Sequence, residues 1–381
     1  MTSMVRSIIA LSVLGATSAC VPSAPQPATA AARPPELVRS QTPKPPFPYR
    51  VEDVSFESAP GVRLAGTLTT PQGNGPYPAV VLVAGSGPHD RNGGGGSWRP
   101  LWVIADHLAR HGIAALRYDK RGTDQSTGNY ANATTVNFAD DAEAAVHFLQ
   151  RRPGISRDRV GILGHSEGGV IAPMVAARSR DVAFIVLLAA PGIPGDSLIL
   201  LQRAAIVRAA GGSPDLDWDL AANRRAFAAM RTARDSADMD ARLLAVQKEL
   251  LAELPPSERA AANRRMDQGR PRLLSPWWRF LSSYDPRPAL GRVQVPVLVI
   301  TGTLDLQVPL EPNLSELEAA LKGGGNRDYQ VIAMPGINHL FQRATTGHPE
   351  EYDTLPDIVS PDALEVITNW ITVHTQRAQN P

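Results

Sequence analysis

The chain has 381 residues, 43% of them hydrophobic and 20% charged, enough apolar material to bury a core and to exclude wholesale disorder. Its 38 basic residues balance 37 acidic ones, which removes the main electrostatic argument for a nucleic-acid partner. The single cysteine, Cys20, excludes an intramolecular disulfide and argues against a cysteine-based zinc site.

Arg6 is the only charge in residues 1–19, and residues 7–16 after it are mostly apolar. This pattern reads as a signal peptide whose apolar stretch is too short to cross a bilayer. Thr17-Ser18-Ala19-Cys20 then resembles a bacterial lipobox, although Thr17 stands where Leu is usual. That resemblance implies lipidation of Cys20 and a membrane anchor in the cell envelope. The alternative is ordinary secretory cleavage near Ala19, giving a periplasmic or secreted protein. Residues 20–49 hold nine prolines from position 21 onward and no hydrophobic periodicity, which predicts an extended tether.

From residue 50 the pattern changes. Residues 51–56 and 63–69 alternate as paired strands around the turn Ala59-Pro60-Gly61. Residues 79–83, AVVLV, form a continuous apolar run, the signature of a strand buried on both faces in a parallel sheet. A helix over 102–111, a strand over 114–118, a helix over 138–151, a strand over 160–163, a helix over 168–178 and a strand over 184–189 follow. Residues 193–285 interrupt this alternation with several amphipathic helices and no strand-like run, as an inserted helical cap would. Strands over 297–301 and 329–334 and a helix over 363–373 complete the chain. The expected fold class is α/β, a mostly parallel doubly wound sheet. Its core is split into residues 50–192 and 286–381.

Gly164-His165-Ser166-Glu167-Gly168 is a G-x-S-x-G motif between a predicted strand and a predicted helix. In that context a sharp turn exposes the serine, and the helix N-terminus offers backbone N–H groups to a developing oxyanion. Ser166 is the expected nucleophile. A serine hydroxyl needs a base to take its proton, and the chain order Ser, acid, His leaves His339, His348 and His374 as candidates. His339, in the loop after a predicted strand, is preferred over a turn histidine (His348) and a terminal-helix histidine (His374). His165 is assigned to packing, because neighbours on an elbow point in different directions. Asp305, just beyond the strand over 297–301, is the expected acid that orients the imidazole. Backbone N–H groups of Ser86 and Glu167 are the expected oxyanion donors. No residue spacing supports a metal or nucleotide site, and no cofactor is expected.

Together GSGPHDRN, RYDKRGTDQS, GHSEGG, TGTLDLQVP and NHLFQ resemble the α/β-hydrolase superfamily, in particular bacterial serine esterases near the serine aminopeptidase S33 branch. The resemblance covers roughly residues 51–373 and implies ester hydrolysis through an acyl-enzyme without a cofactor. It carries over directly to Ser166, Asp305 and His339. Ala84 departs from the common lipase pattern, in which His precedes the glycine, so side-chain support for the oxyanion site is not implied. The cap would supply a lid, with Trp277, Trp278 and Phe280 either lining an acyl pocket or joining cap to core. The expected substrate is a small-molecule acyl ester. A peptidase or thioesterase could use the same three groups, and a non-catalytic, envelope-tethered binding protein is the reading from another class.

Overall fold

The computed structural model describes residues 39–94 and 98–377. The signal-peptide and lipidation expectations fall outside that range, as does most of the tether.

Strands β1 (Tyr49–Ala59) and β2 (Val62–Pro71) form an antiparallel hairpin closed at Gly61, whose φ of 77° suits glycine. Six more strands follow: β3 (Tyr77–Val83), β4 (Ala114–Tyr118), β5 (Ile155–His165), β6 (Ile185–Leu188), β7 (Val297–Gly302) and β8 (Tyr329–Met334). The sheet order is β1-β2-β4-β3-β5-β6-β7-β8, antiparallel from β1 to β4 and parallel from β4 to β8.

Helices α1 (Pro100–Arg110), α2 (Thr135–Gln150) and α3 (Glu167–Ala176) alternate with the central strands. The unbroken apolar runs are explained by what covers the two faces. Ala79, Val81 and Val83 of β3 join a core with residues of α2 and α3, whereas Val80 and Leu82 join a second core with residues of α1. Successive side chains of a strand point to opposite faces, so a strand covered on both sides is apolar throughout. Strands β6 and β7 divide in the same way.

Between β6 and β7 stand α4 (Gly195–Ala209), α5 (Leu216–Arg231), α6 (Ser236–Glu253), α7 (Pro256–Leu273) and α8 (Pro276–Ser283). They pack around small apolar clusters of their own, the largest built on Phe227, Met230, Met239 and Trp278. The short α9 (Arg287–Leu290) leads back to the sheet. After β7 comes α10 (Leu310–Gly323), a helix the sequence pattern does not single out, and after β8 the closing α11 (Pro361–Arg377). Leu317 and Leu321 of α10 lie in the same core as α2 and α3, while Ala363, Leu364, Ile367 and Ile371 of α11 lie beside α1. The result is a three-layer α/β/α arrangement, with the loops after β3, β5 and β7 emerging at the C-terminal edge of the parallel strands.

Candidate active site

Ser166 sits between β5 and α3 with φ 54° and ψ −113°, a backbone conformation that costs a non-glycine residue energy. The surroundings hold it there. Its N–H donates to the Leu188 carbonyl at 2.9 Å, and its carbonyl accepts from the Gly169 N–H at 2.8 Å. A Cβ on Gly164 would lie 2.0 Å from the Gly168 carbonyl oxygen, and one on Gly168 2.3 Å from the Val83 carbonyl oxygen. The motif glycines are therefore required by the close approach of strand, helix and β3.

His339 follows β8 and is buried. Its Nδ1 lies 2.9 Å from Asp305 Oδ2 and 3.1 Å from Oδ1. The backbone N–H groups of Gln307 and Val308 each donate to Asp305 Oδ1 at 2.8 Å, so the carboxylate is held by its own loop. An acceptor at Nδ1 places the proton there and leaves Nε2 as a bare lone pair. The other two candidate histidines are engaged elsewhere: His348 Nδ1 accepts from the Glu350 N–H, and His374 stacks on Trp370 and contacts Asp328.

Sequence reasoning missed the groups that position this pair. His165 Nε2 donates to the His339 carbonyl oxygen at 2.9 Å, and the two rings lie 4.9 Å apart. The packing role expected for His165 is thus a direct brace on the His339 backbone. Asn338, fully buried, accepts from the N–H groups of Leu340 and Gln342 and donates to Gln342 Oε1 at 3.0 Å. Gln342 in turn donates to the carbonyls of Tyr352 and Asp357. Only the NHLFQ resemblance signalled these residues.

The loop after β3 brings Gly85 against the elbow, where an added Cβ would be 3.2 Å from the Ser166 Cβ. Ser86 is the next residue, and its carbonyl meets His89 Nε2 at 2.7 Å. Lys120 Nζ donates to the Gly85 carbonyl at 2.6 Å and to Glu167 Oε2 at 3.1 Å. The Glu167 side chain is buried, and its other oxygen accepts from Thr135 Oγ1 at 2.8 Å and Trp277 Nε1 at 2.7 Å. Expected only as a backbone donor, Glu167 also joins the elbow through its carboxylate to Lys120, to the start of α2 and to the helical block, and through Lys120 to the β3 loop.

The three aromatic residues expected near the pocket separate. Trp277 reaches Glu167. Trp278 is 1% exposed within the cap's own cluster, so it packs the cap. Phe280, half-buried, stacks on Tyr284 with ring centroids 5.1 Å apart.

Three further charges of the flanking motifs, Arg91, Asp119 and Arg121, are held in buried ion pairs. Arg91 makes a two-pronged contact with Asp119 at 2.6 and 3.0 Å, and Arg121 contacts both oxygens of Asp141 at 2.7 Å.

These placements have measurable consequences. Lys120→Met leaves the Glu167 carboxylate buried without its counter-ion and should cost about 3–5 kcal/mol in chemical denaturation. Adding Glu167→Gln should recover most of that loss; equal destabilisation of the single and double variants would sink the pairing. Burial, reinforced by the neighbouring His339, pushes the His165 imidazole down from 6.5 to about 3. Burial and Lys120 bring His89 down to about 4. Both rings are depressed relative to the unfolded chain, which binds the additional protons as the pH falls below 6.5. Stability therefore falls as the pH drops from about 6.5 towards 3, and His165→Asn should flatten that slope. Denaturation midpoints across this range would test it, and an unchanged slope would show that His165 titrates alike in both states.

The family model for X-Pro dipeptidyl-peptidase (S15 family) matches residues 60–336. Esterase EstD from Thermotoga maritima is 28% identical over 299 residues, covering 78% of this chain and 61% of that protein, so this chain spans about three fifths of that relative. Among solved structures, PA2218 from Pseudomonas aeruginosa is similar at TM-score 0.50 and 18% identity, over 88% of this chain and 96% of that one. A proline iminopeptidase from Mycobacterium smegmatis also gives TM-score 0.50 and 18% identity, over 86% of this chain and 100% of that one. These two likenesses concern the fold alone. The family match spans both parts of the sheet and the helical block between them, and the chain belongs to the S15 peptidase family of α/β-hydrolases.

Proposed function

We propose that the protein is a serine hydrolase that cleaves carboxylic esters through an acyl-enzyme. One observation carries this reading: a buried His339–Asp305 pair stands with Nδ1 occupied, on a loop braced by the residue preceding the strained Ser166. Ser166 Oγ attacks the ester carbonyl while His339 Nε2 takes its proton, and Asp305 stabilises the imidazolium. The backbone N–H groups of Ser86 and Glu167 receive the negative charge that forms on the carbonyl oxygen. His339 returns the proton to the departing alcohol. Water then repeats the sequence on the acyl-enzyme and releases the acid. In its motifs the proposed enzyme resembles bacterial serine esterases near the S33 branch.

Ester rather than peptide cleavage is favoured by the state of Glu167. A site that selects a free peptide N-terminus needs an anion for the ammonium group. The carboxylate next to the nucleophile is already neutralised by Lys120 and bonded to Thr135 and Trp277. Peptide hydrolysis is the second reading, supported by the family match to X-Pro dipeptidyl-peptidases. A panel of short-chain p-nitrophenyl esters, thioesters and aminoacyl arylamides separates these activities, since the same three groups serve all of them.

Ser166→Ala should lower ester turnover by at least about 10³-fold and abolish labelling by a fluorophosphonate, with the melting transition retained. Unchanged turnover would overturn the assignment. A wild-type protein that is neither labelled nor active would favour the binding-protein reading.

We also propose export to the cell envelope with a lipid on Cys20. Incorporation of labelled fatty acid should be lost in Cys20→Ala, leaving a soluble periplasmic form. Equal membrane recovery of both proteins would count against the anchor.

A further inference from the structure

Outside the residues assigned to the reaction, α1 and α11 bring two histidines and a carboxylate together. His107 lies on α1, His111 caps its C-terminal end, and Glu365 projects from α11. Each offers one ligand atom, and the three atoms lie within 4.8 Å of one another. We propose that His107, His111 and Glu365 form a binding site for a first-row divalent cation of the zinc class, which clamps the last helix to α1.

The donor chemistry fits that ion. Two imidazoles and one carboxylate form a set that zinc accepts, with a fourth position left to water. The histidines are four residues apart on a helix, which places them on one face. His111 Nδ1 lies 2.7 Å from the His107 carbonyl oxygen and donates to it. A ligating histidine is commonly oriented by such a bond from its other nitrogen, and here Nε2 is left bare.

His107 supplies an independent observation. Its Nε2 is buried and has no hydrogen-bond partner. Glu365 Oε1 lies 4.0 Å away, too far for a hydrogen bond. A cation between the two would satisfy both. Zinc holds tetrahedral ligands at about 2.0–2.2 Å and hence about 3.3–3.6 Å from one another, so spacings of 4.0 Å and up to 4.8 Å must close by roughly half to one and a half ångströms, by rotation of the exposed His111 and Glu365 side chains. The nearby Arg110 is matched by Asp106 at 2.9 and 3.0 Å, which offsets its repulsion of a cation.

The sequence spacing alone does not disclose this site, because Glu365 joins only through the packing of α11 beside α1.

The test uses untagged full-length protein stripped of metal with a chelator and titrated with zinc, and separately with cobalt, whose visible absorption reports its coordination. Zinc should bind with one-to-one stoichiometry and raise the melting temperature by about 2 °C or more. His111→Gln and Glu365→Gln, both at exposed positions, should each lower zinc affinity at least about tenfold. They should leave the metal-free melting temperature and ester turnover unchanged, whereas the control His147→Gln should leave zinc affinity unaltered. Absence of binding, or equal affinity in wild type and both variants, would overturn the proposal.

Discussion

Asp119, Lys120 and Arg121, three consecutive charged residues at the end of β4, make three buried ion pairs in different directions. Asp119 takes Arg91 from the loop after β3, Lys120 takes Glu167 from the elbow, and Arg121 takes Asp141 from α2. One short turn thereby fixes the positions of the β3 loop, the segment that carries Ser166 and a helix packed beside them. Each ion is costly to remove from water, and each is affordable only because its partner stands at hydrogen-bond distance. The site geometry rests on this constraint.

The Lys120–Glu167 pair matters most because its partners reach furthest. Lys120 also holds the Gly85 carbonyl, at the start of the loop that supplies the Ser86 N–H. Glu167 also receives the Trp277 indole N–H from the helical block. A displacement of α8 therefore acts on the residue that follows the proposed nucleophile. On the other side of the elbow, His165 ties the β5 end to the backbone of His339. Ser166 thus stands between two residues whose side chains are spent on orientation, one towards the helical block and one towards His339.

Much of the architecture was legible because the physics that makes it is local. Strand β6 and the buried stretches 79–83 of β3 and 297–300 of β7 are apolar at every position, since both faces are covered. The elbow was legible because its glycines answer to backbone contacts that tolerate no side chain. Other elements depend on distant partners. Helix α10 opens with proline at 309 and 312 and a non-helical Glu311, which hides its start, and its place is set by Leu317 and Leu321 reaching the core. The charges of DKRG look like a solvated turn, and only the fold shows each one buried against a partner. Trp277 and Trp278 are neighbours in sequence, but successive helical positions are about 100° apart, so one meets Glu167 and the other fills the cap.

Stability alone does not account for these buried charges, because apolar residues of similar volume often serve a core as well or better. A methyl group at position 120 would fill space but could not hold the Gly85 carbonyl, and so could not fix the peptide plane that carries the Ser86 N–H. An apolar residue at 167 would not meet the Trp277 indole. Ion pairs and their charge-assisted bonds are directional where apolar contacts are not. The proposed reaction, in which backbone N–H groups receive a transient oxyanion, needs peptide planes held in a defined orientation. Orientation is what the ion pairs contribute that a dry core would not.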